Sequence, residues 1–373
     1  MSFAGTLAKY RDFADQRGLP WITPSPLVNR VDHKSFNYSL EEPILREFES
    51  YLNITHPYTF STIQPCIRGA DLGQIKKHKT RNHLALFHIF PTAFFLSPEP
   101  SSLVTNQKAG IAATFAFLES VGVDLHQLRV SYFAGGSLRE ISNGHVPVDK
   151  AFPSDKTTVS ACLESGIESN RLIPTANLDT FVATFEGDED FFAGFRYEIF
   201  HPLPDGTLLE IATGEALTYR QVRENGVTID VLPAGCSAAP VVIGLERLHC
   251  ILEGTSRVQA ISSLIELSES LRPLANTASE EELLQAANFF CAAHLVLAQT
   301  HNSDINKNLA EQRRVIISHL CKLLDKRLPP HSALLDALNH NAGIHPWLPE
   351  LASEAVPVAS ALSEHITRRI KQE

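Results

Sequence analysis

Two arginines stand at the ends of apolar runs, where a folded core would hold them in fixed positions. Arg68 ends the strand-like run Ile-Gln-Pro-Cys-Ile-Arg, and Arg247 opens a helix-like run in Gly-Leu-Glu-Arg. A guanidinium group bonds phosphate oxygens through a planar pair of N–H donors, so the two arginines predict a clamp for a nucleotide. Taken singly, each has a simpler interpretation as a surface ion-pair partner.

Two glutamates lie in neighbouring β-rich runs. Glu198 and Glu210 flank the turn Pro204-Asp205-Gly206, which predicts that their strands pair antiparallel. The two carboxylates predict a magnesium site, because Mg²⁺ binds through one or two carboxylates and takes water or phosphate as its other ligands. The alternative interpretation is two exposed strand carboxylates with no ligand.

Several common catalytic motifs are missing from the sequence. No G-x-x-x-x-G-K-[ST] or G-x-G-x-x-G occurs, which excludes a P-loop and a Rossmann fingerprint, and no G-x-S-x-G nucleophile elbow occurs. His78, His83 and His88 recur every five residues and therefore share neither a helix face nor a strand face. Without H-E-x-x-H or C-x-x-C, they are a weak candidate for a metal site.

Composition narrows the class of protein. The chain has 373 residues, 44% of them hydrophobic, and a formal net charge of -10. These values predict a globular protein with a large core and argue against a general nucleic-acid coat or an anionic membrane surface as partner. Six scattered cysteines predict a reducing, cytoplasmic environment. No uncharged run approaches the ~20 residues of a membrane span, so no membrane partner is expected.

The stretch from Phe60 to Phe95 predicts two strands joined by a basic loop, and the rest of the chain is arranged around it. Other β-rich runs follow: Leu128–Gly136, Thr180–Glu186, Gly194–Phe200, Thr207–Ile211 and Gly226–Leu232. A strand running into a helix is predicted over Ala239–Leu252. Helical periods cover Phe3–Arg17, Leu40–Tyr51, Thr105–Val121, Ser279–Leu297, Leu309–Leu328 and Ser353–Lys371.

Six segments, in the correct order, resemble the catalytic half of alanyl-tRNA synthetase, a class II aminoacyl-tRNA synthetase. Residues 10–28 resemble its opening helix and strand, and residues 61–95 resemble class II motif 2. Tyr-Glu-Ile-Phe at 197–200 and Leu-Leu-Glu-Ile-Ala-Thr at 208–213 are similar to two of its strands. The last two matches are Ile-Gly-Leu-Glu-Arg-Leu at 243–248, similar to motif 3, and residues 291–324, similar to its tRNA-recognition helices.

The resemblance implies an α+β fold with two domains. Residues 1–254 would form an adenylation domain, a class II antiparallel sheet flanked by helices, and residues 255–373 an all-α domain. The basic residues from Lys76 to Arg81 would lie over the adenylate and the acceptor end of tRNA, or form a solvated loop. Asn306–Asn308 and Arg313-Arg314 would contact tRNA, or serve as a helix cap and a solvated face.

The resemblance also implies ATP and Mg²⁺ as cofactors. Arg68 would contact the α-phosphate and the attacking carboxylate, and Arg247 would hold the bent triphosphate. Glu198 and Glu210 would lie near ATP and its magnesium. The remaining residues implied for the cofactor site are Arg81, Gly244 and His88, the last because the motif 2 glutamate of the family falls at Phe87 or His88.

The implied substrate pocket departs from the family. Ala239-Pro240-Val241-Val242 stands where the family has the aspartate that binds the α-ammonium group of the amino acid. Phe185 replaces a tryptophan of the pocket wall, and Thr213 replaces an asparagine. Unless Glu186 or Asp188 takes over the role of the aspartate, the pocket is expected to bind an amino acid differently, or a carboxylic acid without an α-amine.

Two hypotheses follow for the function. The first is an ATP-dependent ligase, in specialised metabolism, that activates a carboxylic acid or amino acid as an adenylate. It would pass the acyl group to a tRNA 3′ end, a carrier-protein thiol or a small amine. The second is a non-catalytic, synthetase-like protein that regulates or binds tRNA or a ligand. The sequence contains no motifs of an editing domain.

Overall fold

A computed structural model describes residues 2–28, 36–50, 52–77, 82–144, 146–147, 149–182, 192–225, 227–300, 305–324 and 330–371. The described part of the chain mixes strands and helices. Its strands are β1 (Gln64–Cys66), β2 (Phe87–Ser97), β3 (Arg129–Phe133), β4 (Gly136–Ser137), β5 (Ala151–Phe152), β6 (Leu172–Thr175), β7 (Phe181–Val182), β8 (Phe192–Pro202), β9 (Leu208–Glu224) and β10 (Val227–Gly244).

The helices of the sheet-forming part are α1 (Phe3–Gln16), α2 (Glu41–Phe48), α3 (Leu72–Lys76), α4 (Leu103–Val121), α5 (Leu138–Ile141), α6 (Lys156–Glu164) and α7 (Leu245–Leu252). The later helices are α8 (Ser262–Leu271), α9 (Glu280–Thr300), α10 (Lys307–Leu323), α11 (His331–Ile344), α12 (Pro349–Ser353) and α13 (Ala355–Ile370). The helical periods of the sequence agree with these bounds to within a few residues, except in residues 325–328, which lie outside the described part.

One large sheet positions the candidate site. Its strand order is β1-β2-β10-β9-β8-β3-β6, and β7 also pairs with β8. All neighbours are antiparallel except β3 and β6. The prediction of an α+β fold with an antiparallel sheet flanked by helices is therefore confirmed for the described residues. The division into domains at residue 254 stays a prediction.

The predicted hairpin between Phe60 and Phe95 is present, with one addition. Strands β1 and β2 pair antiparallel, Cys66 opposite Phe87. The connection contains α3, which the sequence did not predict because five residues with only two buried apolar side chains give almost no period. Residues 78–81 lie outside the described part of the chain, so the predicted roles of Arg81 and its basic neighbours stay predictions.

Strands β7, β8 and β9, which correspond to three of the predicted β-rich runs, pair antiparallel in chain order, and β10 is longer than predicted. The runs at Gly226–Leu232 and Ala239–Gly244 belong to one strand of 18 residues. It leads directly into α7, as predicted for a strand running into a helix. At the β8–β9 turn, the backbone N–H of Thr207 donates to the carboxylate of Asp205 at 3.0 Å, and Gly206 has a φ of 83°. Only glycine adopts that φ readily, which is why the turn needs it.

Helices cover the back of the sheet closely. At Gly110 of α4, a Cβ atom would lie 3.1 Å from Val241 Cγ2 and 3.3 Å from Ala93 Cβ, so this glycine lets the helix backbone approach strands β10 and β2. Helix α9 begins with the predicted capping box: Ser279 N–H donates to Glu282 Oε2 at 2.8 Å, and Glu282 N–H donates to Ser279 Oγ at 3.3 Å. Among the described helices, α9 alone is long and apolar enough to cross a membrane, yet 94% of its apolar window is buried inside the protein, as in a core helix.

Candidate functional site

A cavity of about 780 Å³ opens on the front face of the sheet, opposite α4. Its floor is formed by alternate residues of the central strands, as the period of two in a β-strand requires. On β10, these are Ala238, Pro240, Val242 and Gly244; on β9, Thr213, Glu215 and Leu217. The predicted pocket residues Thr213, Pro240, Val242 and Gly244 thus line one cavity together with Arg68, Glu198, Glu210 and Arg247.

A β-bulge in β2 changes which of its side chains face the cavity. Val241 of β10 pairs with Ala93, whereas Val242, the residue after it, pairs with Pro91. Thr92 is therefore the extra residue in β2. Odd-numbered side chains line the cavity before the bulge, at Phe87 and Ile89, and even-numbered ones after it, at Phe94 and Leu96. The bulge therefore decides which residues of β2 reach the cavity.

The first charged pair of the cavity joins β8 to β9. Arg196 donates to Glu215 Oε1 through Nε at 3.0 Å and Nη2 at 2.7 Å. The two residues are direct cross-strand partners. The sequence analysis missed them, although Arg196 and Glu198 alternate with Tyr197 and Ile199 in the strand. That alternation was the available signal.

The second pair joins Arg247 to Glu210. Arg247 Nη1 donates to Glu210 Oε2 at 2.8 Å and to its backbone oxygen at 3.1 Å, and the hydroxyl of Thr213 donates to Glu210 Oε1. Burial opposes ionisation of Glu210, but Arg247 and the Thr213 hydroxyl outweigh it, so the pKa of this carboxyl is lowered. The simpler interpretation of Arg247 as an ion-pair partner holds in this structure, with the pair facing a cavity.

The pKa of the Glu198 carboxyl is shifted in the opposite direction from that of Glu210. Burial, with Glu210 and Asp179 nearby, raises the pKa of Glu198 to about 7. Its backbone N–H donates to Ser131 Oγ at 3.1 Å, but its side chain forms no ion pair or hydrogen bond with any residue that the structure describes. A cation placed beside Glu198 would stabilise its ionised form.

Arg68 lines the cavity and has no partner among the residues that the structure describes. It is exposed at the end of β1, and its guanidinium has no hydrogen bond or ion pair with a described residue. Nearby, Asp71 Oδ2 lies 3.3 Å from His83 Nδ1. Burial raises the pKa of Asp71, and His83, Arg68 and Arg247 lower it by more, so the net shift is downward. Among the described residues, the Arg68 guanidinium at this end of the cavity is therefore open to an anion.

The prediction that His88 binds the cofactor does not fit its position. Its side chain is 1% exposed and points to the back of the sheet, because Phe87 and Ile89 take the front face. There His88 Nδ1 lies 2.6 Å from Glu246 Oε1, and its backbone N–H donates to Glu246 Oε2 at 2.9 Å. The ring stacks on His345, whose pKa burial and His88 lower to about 3. Of the two positions aligned with the glutamate of the resembled family, Phe87 therefore faces the cavity and His88 does not.

The remaining predicted residues divide into two groups. Phe185 and Glu186 lie outside the described residues, as does Arg81. In the predicted tRNA-contacting run, Asn306 caps α10 by accepting from Leu309 N–H at 2.9 Å, and Arg313 Nη1 donates to the backbone oxygen of Thr300 at 3.1 Å. The described residues contain no group of three or more His, Cys, Asp or Glu placed to hold a metal. Glu198 and Glu210 are thus a pair of carboxylates, the number that magnesium bound to phosphate uses.

Comparison with known proteins gives a limited result. No protein-family model matches the chain, and no curated protein matches it. One similar solved structure is the RNA binding domain of threonyl-tRNA synthetase from Cryptosporidium parvum Iowa II, with a TM-score of 0.38 and 12% identity. The match covers 67% of this chain and 65% of that one, so this chain spans just under two thirds of that structure.

A second similar structure is PylSc, a pyrrolysyl tRNA synthetase of Desulfitobacterium hafniense, with a TM-score of 0.29 and 13% identity. That match covers 69% of this chain and 71% of the other. Neither protein is an alanyl-tRNA synthetase, so the alanyl assignment stays a prediction.

Proposed function

We propose that the protein is an ATP-dependent ligase of the synthetase type, which activates a carboxylic acid as an adenylate. The observation that carries the proposal is Arg68, a guanidinium with no partner among the described residues at the edge of a cavity of about 780 Å³. A guanidinium group binds carboxylate and phosphate oxygens through paired N–H donors, so an anionic ligand in the cavity would supply its partner.

The residues of the cavity fit ATP and magnesium by charge. Arg68 would bind the α-phosphate and orient the attacking carboxylate, and fixed positive charge there stabilises the oxygens on which charge develops. Arg247 would exchange its bond to Glu210 for the triphosphate. This exchange is open to it because both side chains are partly exposed, at 25% and 30%. Glu198 and the released Glu210 would hold Mg²⁺. ATP supplies the phosphoanhydride whose cleavage drives the reaction.

The second half of the reaction is proposed as acyl transfer from the adenylate to a nucleophile. A tRNA 3′ end, a carrier-protein thiol and a small amine all satisfy the chemistry. Two described residues of the candidate tRNA run already have structural partners, Asn306 as a helix cap and Arg313 on Thr300. Their bonds within the protein favour the simpler interpretation of that run and leave the acceptor open to experiment.

ATP–pyrophosphate exchange tests the proposal directly. Exchange is expected with at least one carboxylic acid, and Arg68→Ala is expected to lower it ~100-fold or more, because one such charge contributes a few kcal/mol to the transition state. The matched control is Arg368→Ala, a 66% exposed arginine of α13 that pairs with Glu364 one turn away, and it is expected to leave exchange unchanged. A panel of acids that gives no exchange would refute the proposal.

The non-catalytic alternative draws on a different observation. Arg196 and Arg247 are each paired with a cavity glutamate, which leaves fewer cations for a triphosphate. Calorimetry with ATP and Mg²⁺ separates the two hypotheses. Binding without exchange favours a regulatory or tRNA-binding protein, and binding with exchange favours the ligase.

A further inference from the structure

The cavity is divided lengthwise into a charged half and an apolar half. Among the described lining residues, the charged side chains contributed by strands stand on β8 and β9: Arg196, Glu198, Glu210 and Glu215. The lining residues of β2 and β10 are all uncharged. Six of them form what we call the apolar strip: Ile89, Phe94, Leu96, Ala238, Pro240 and Val242.

Strand pairing makes the strip continuous. Ala238 lies opposite Leu96, and Pro240 opposite Phe94. At the other end, on the far side of the bulge, Ile89 lies opposite Gly244. At ~3.3 Å per residue, the seven steps from Ile89 to Leu96 give the strip a length of about 20 Å. It therefore offers room for a chain of several carbons.

The strip begins beside Arg68. That residue follows β1, the neighbour of β2, so the strip lies between Arg68 and the charged half. The N–H of Ile67 donates to the backbone oxygen of Asn37 at 2.9 Å, which holds the segment leading to Leu40 against the end of β1. Leu40 and Ile44 of α2 also line the cavity and belong to the same hydrophobic cluster as Phe94, Leu96 and Ala238.

An acid bound at Arg68 thus has an apolar surface on which to extend. Contact of the strip with an apolar chain is more favourable than its contact with water, because burial of apolar area contributes ~25 cal/mol per Å² to the free energy of binding. We propose, resting on the ligase function above, that the activated acid has an apolar chain and no α-ammonium group.

The absence of the ammonium group follows from where the carboxylates stand. The strip itself contains none. The nearer carboxylates of the cavity wall are already paired: Asp71 with His83, Glu210 with Arg247 and Glu215 with Arg196. Glu198 is on β8, two strands from β10 and so ~10 Å away across the sheet. Glu41, at the margin formed by α2, is already engaged by another residue. An α-ammonium group beside the carboxylate would lie against Ile89 and Val242, where every described carboxylate nearby already has a partner, which is unfavourable for a desolvated cation.

Three acids test the proposal in the exchange assay: acetate, 4-methylpentanoate and leucine. Leucine and 4-methylpentanoate differ only by the α-ammonium group, which makes them a matched pair. We expect 4-methylpentanoate to exceed leucine at least tenfold in kcat/KM. It should also exceed acetate, by about fourfold for each methylene-sized group that the strip buries. A preference for leucine or for acetate would overturn the proposal and leave the ligase function standing.

Substitution at the strip provides a second readout. Val242→Asp places a carboxylate on the strip and is expected to shift the ratio of leucine to 4-methylpentanoate at least tenfold towards leucine. Val242→Asn has nearly the same shape without the charge. It is expected to weaken both acids without changing their ratio. An unchanged ratio in Val242→Asp, with the variant folded by circular dichroism, would contradict the proposal.

Binding separates a failure of this inference from a failure of the ligase function. If no acid supports exchange, the ligase proposal fails. Thermal unfolding with each acid then tests whether the apolar strip binds an apolar acid. A rise in Tm with 4-methylpentanoate, absent with leucine and abolished by Arg68→Ala, would support an apolar-acid site. No rise with 4-methylpentanoate would refute it.

Discussion

Ionisable groups on the two faces of the large sheet differ in how far they are enclosed. On the back, His88 and Glu246 meet at 2.6 Å with side chains 1% and 6% exposed. On the front, the Arg247–Glu210 pair is 25% and 30% exposed, and Arg68 has no partner among the described residues. The back-face pair is enclosed by packed rings, whereas the front-face pairs border a cavity.

This difference separates groups that hold the fold from groups that are free to bind. Removing one member of an enclosed pair leaves a buried polar atom without a partner, which is costly. Removing one member of an open pair lets water replace it, so the cost in stability is small. Charged residues of the front face can therefore be specialised for a ligand, and those of the back face cannot.

The largest effect on stability is expected where the packing between β8 and β9 leaves no room for a side chain. Gly214 of β9 lies across from Tyr197, and a Cβ atom there would lie 2.1 Å from Tyr197 Cζ. Because the Tyr197 side chain is fully buried, Gly214→Ala is expected to lower the free energy of unfolding by ~3 kcal/mol or more. Gly73→Ala in α3 is the control: nothing lies within 4 Å of its Cβ, and a stabilisation of ~0.5–1 kcal/mol is expected. Urea unfolding measures both, and equal effects would contradict the packing argument.

The next effect compares the faces directly. Glu246→Ala removes the acceptor of the backbone N–H and ring Nδ1 of His88, so a loss of ~2–4 kcal/mol in unfolding free energy is expected. Glu210→Ala removes the open pair with Arg247 and is expected to cost ~1 kcal/mol or less. Chemical denaturation of the two variants under one set of conditions checks this. A larger loss for Glu210→Ala would show that the front face also supports the fold.

The sequence predicted which charged residues line the cavity on the front face, but not which neighbours they contact there. Arg68, Arg247, Glu198 and Glu210 reach one cavity because each lies at a strand or helix end, or on a strand of readable period. Capping chemistry is local, and for that reason the start of α9 at Ser279 was predictable.

The orientation of β2 was not predictable, for a physical reason. Its run from Phe87 to Ser97 is apolar on both faces, because helices cover the back and the apolar strip lies on the front. Without alternation, the sequence carries no signal for which face a residue takes, and the bulge at Thr92 changes it midway. His88 was placed in the site through the family resemblance, which could not distinguish it from Phe87, and the strand pattern gave no signal to choose between them. Pro91, which lacks an N–H for the ladder, was the local hint of an irregularity.

The smallest effect tests the state of the front face through pH. The pKa of Glu198 is raised from 4.5 to about 7 by burial and by the nearby Glu210 and Asp179, so the folded protein holds the proton more tightly than the unfolded chain. The ionised carboxylate therefore destabilises the fold. This penalty is absent below pH 4.5, grows between pH 4.5 and 7, and is constant above pH 7.

Glu198→Gln removes the penalty, so it is expected to raise Tm at pH 8 by roughly 1–2 °C, the shift for about 1 kcal/mol in a chain of this length, and to leave Tm unchanged near pH 4.5. Glu164→Gln on α6, with a side chain 61% exposed, is the control, and a flat difference across pH is expected for it. Saturating ATP with Mg²⁺ should shrink the Glu198→Gln effect at pH 8, because the proposed cation would take over the role of the proton on Glu198. A Tm gain in Glu198→Gln that is the same at pH 5 and pH 8 would mean that Glu198 is no more strained in the fold than an ordinary surface carboxylate, and the front face would lose its distinction from the rest of the surface.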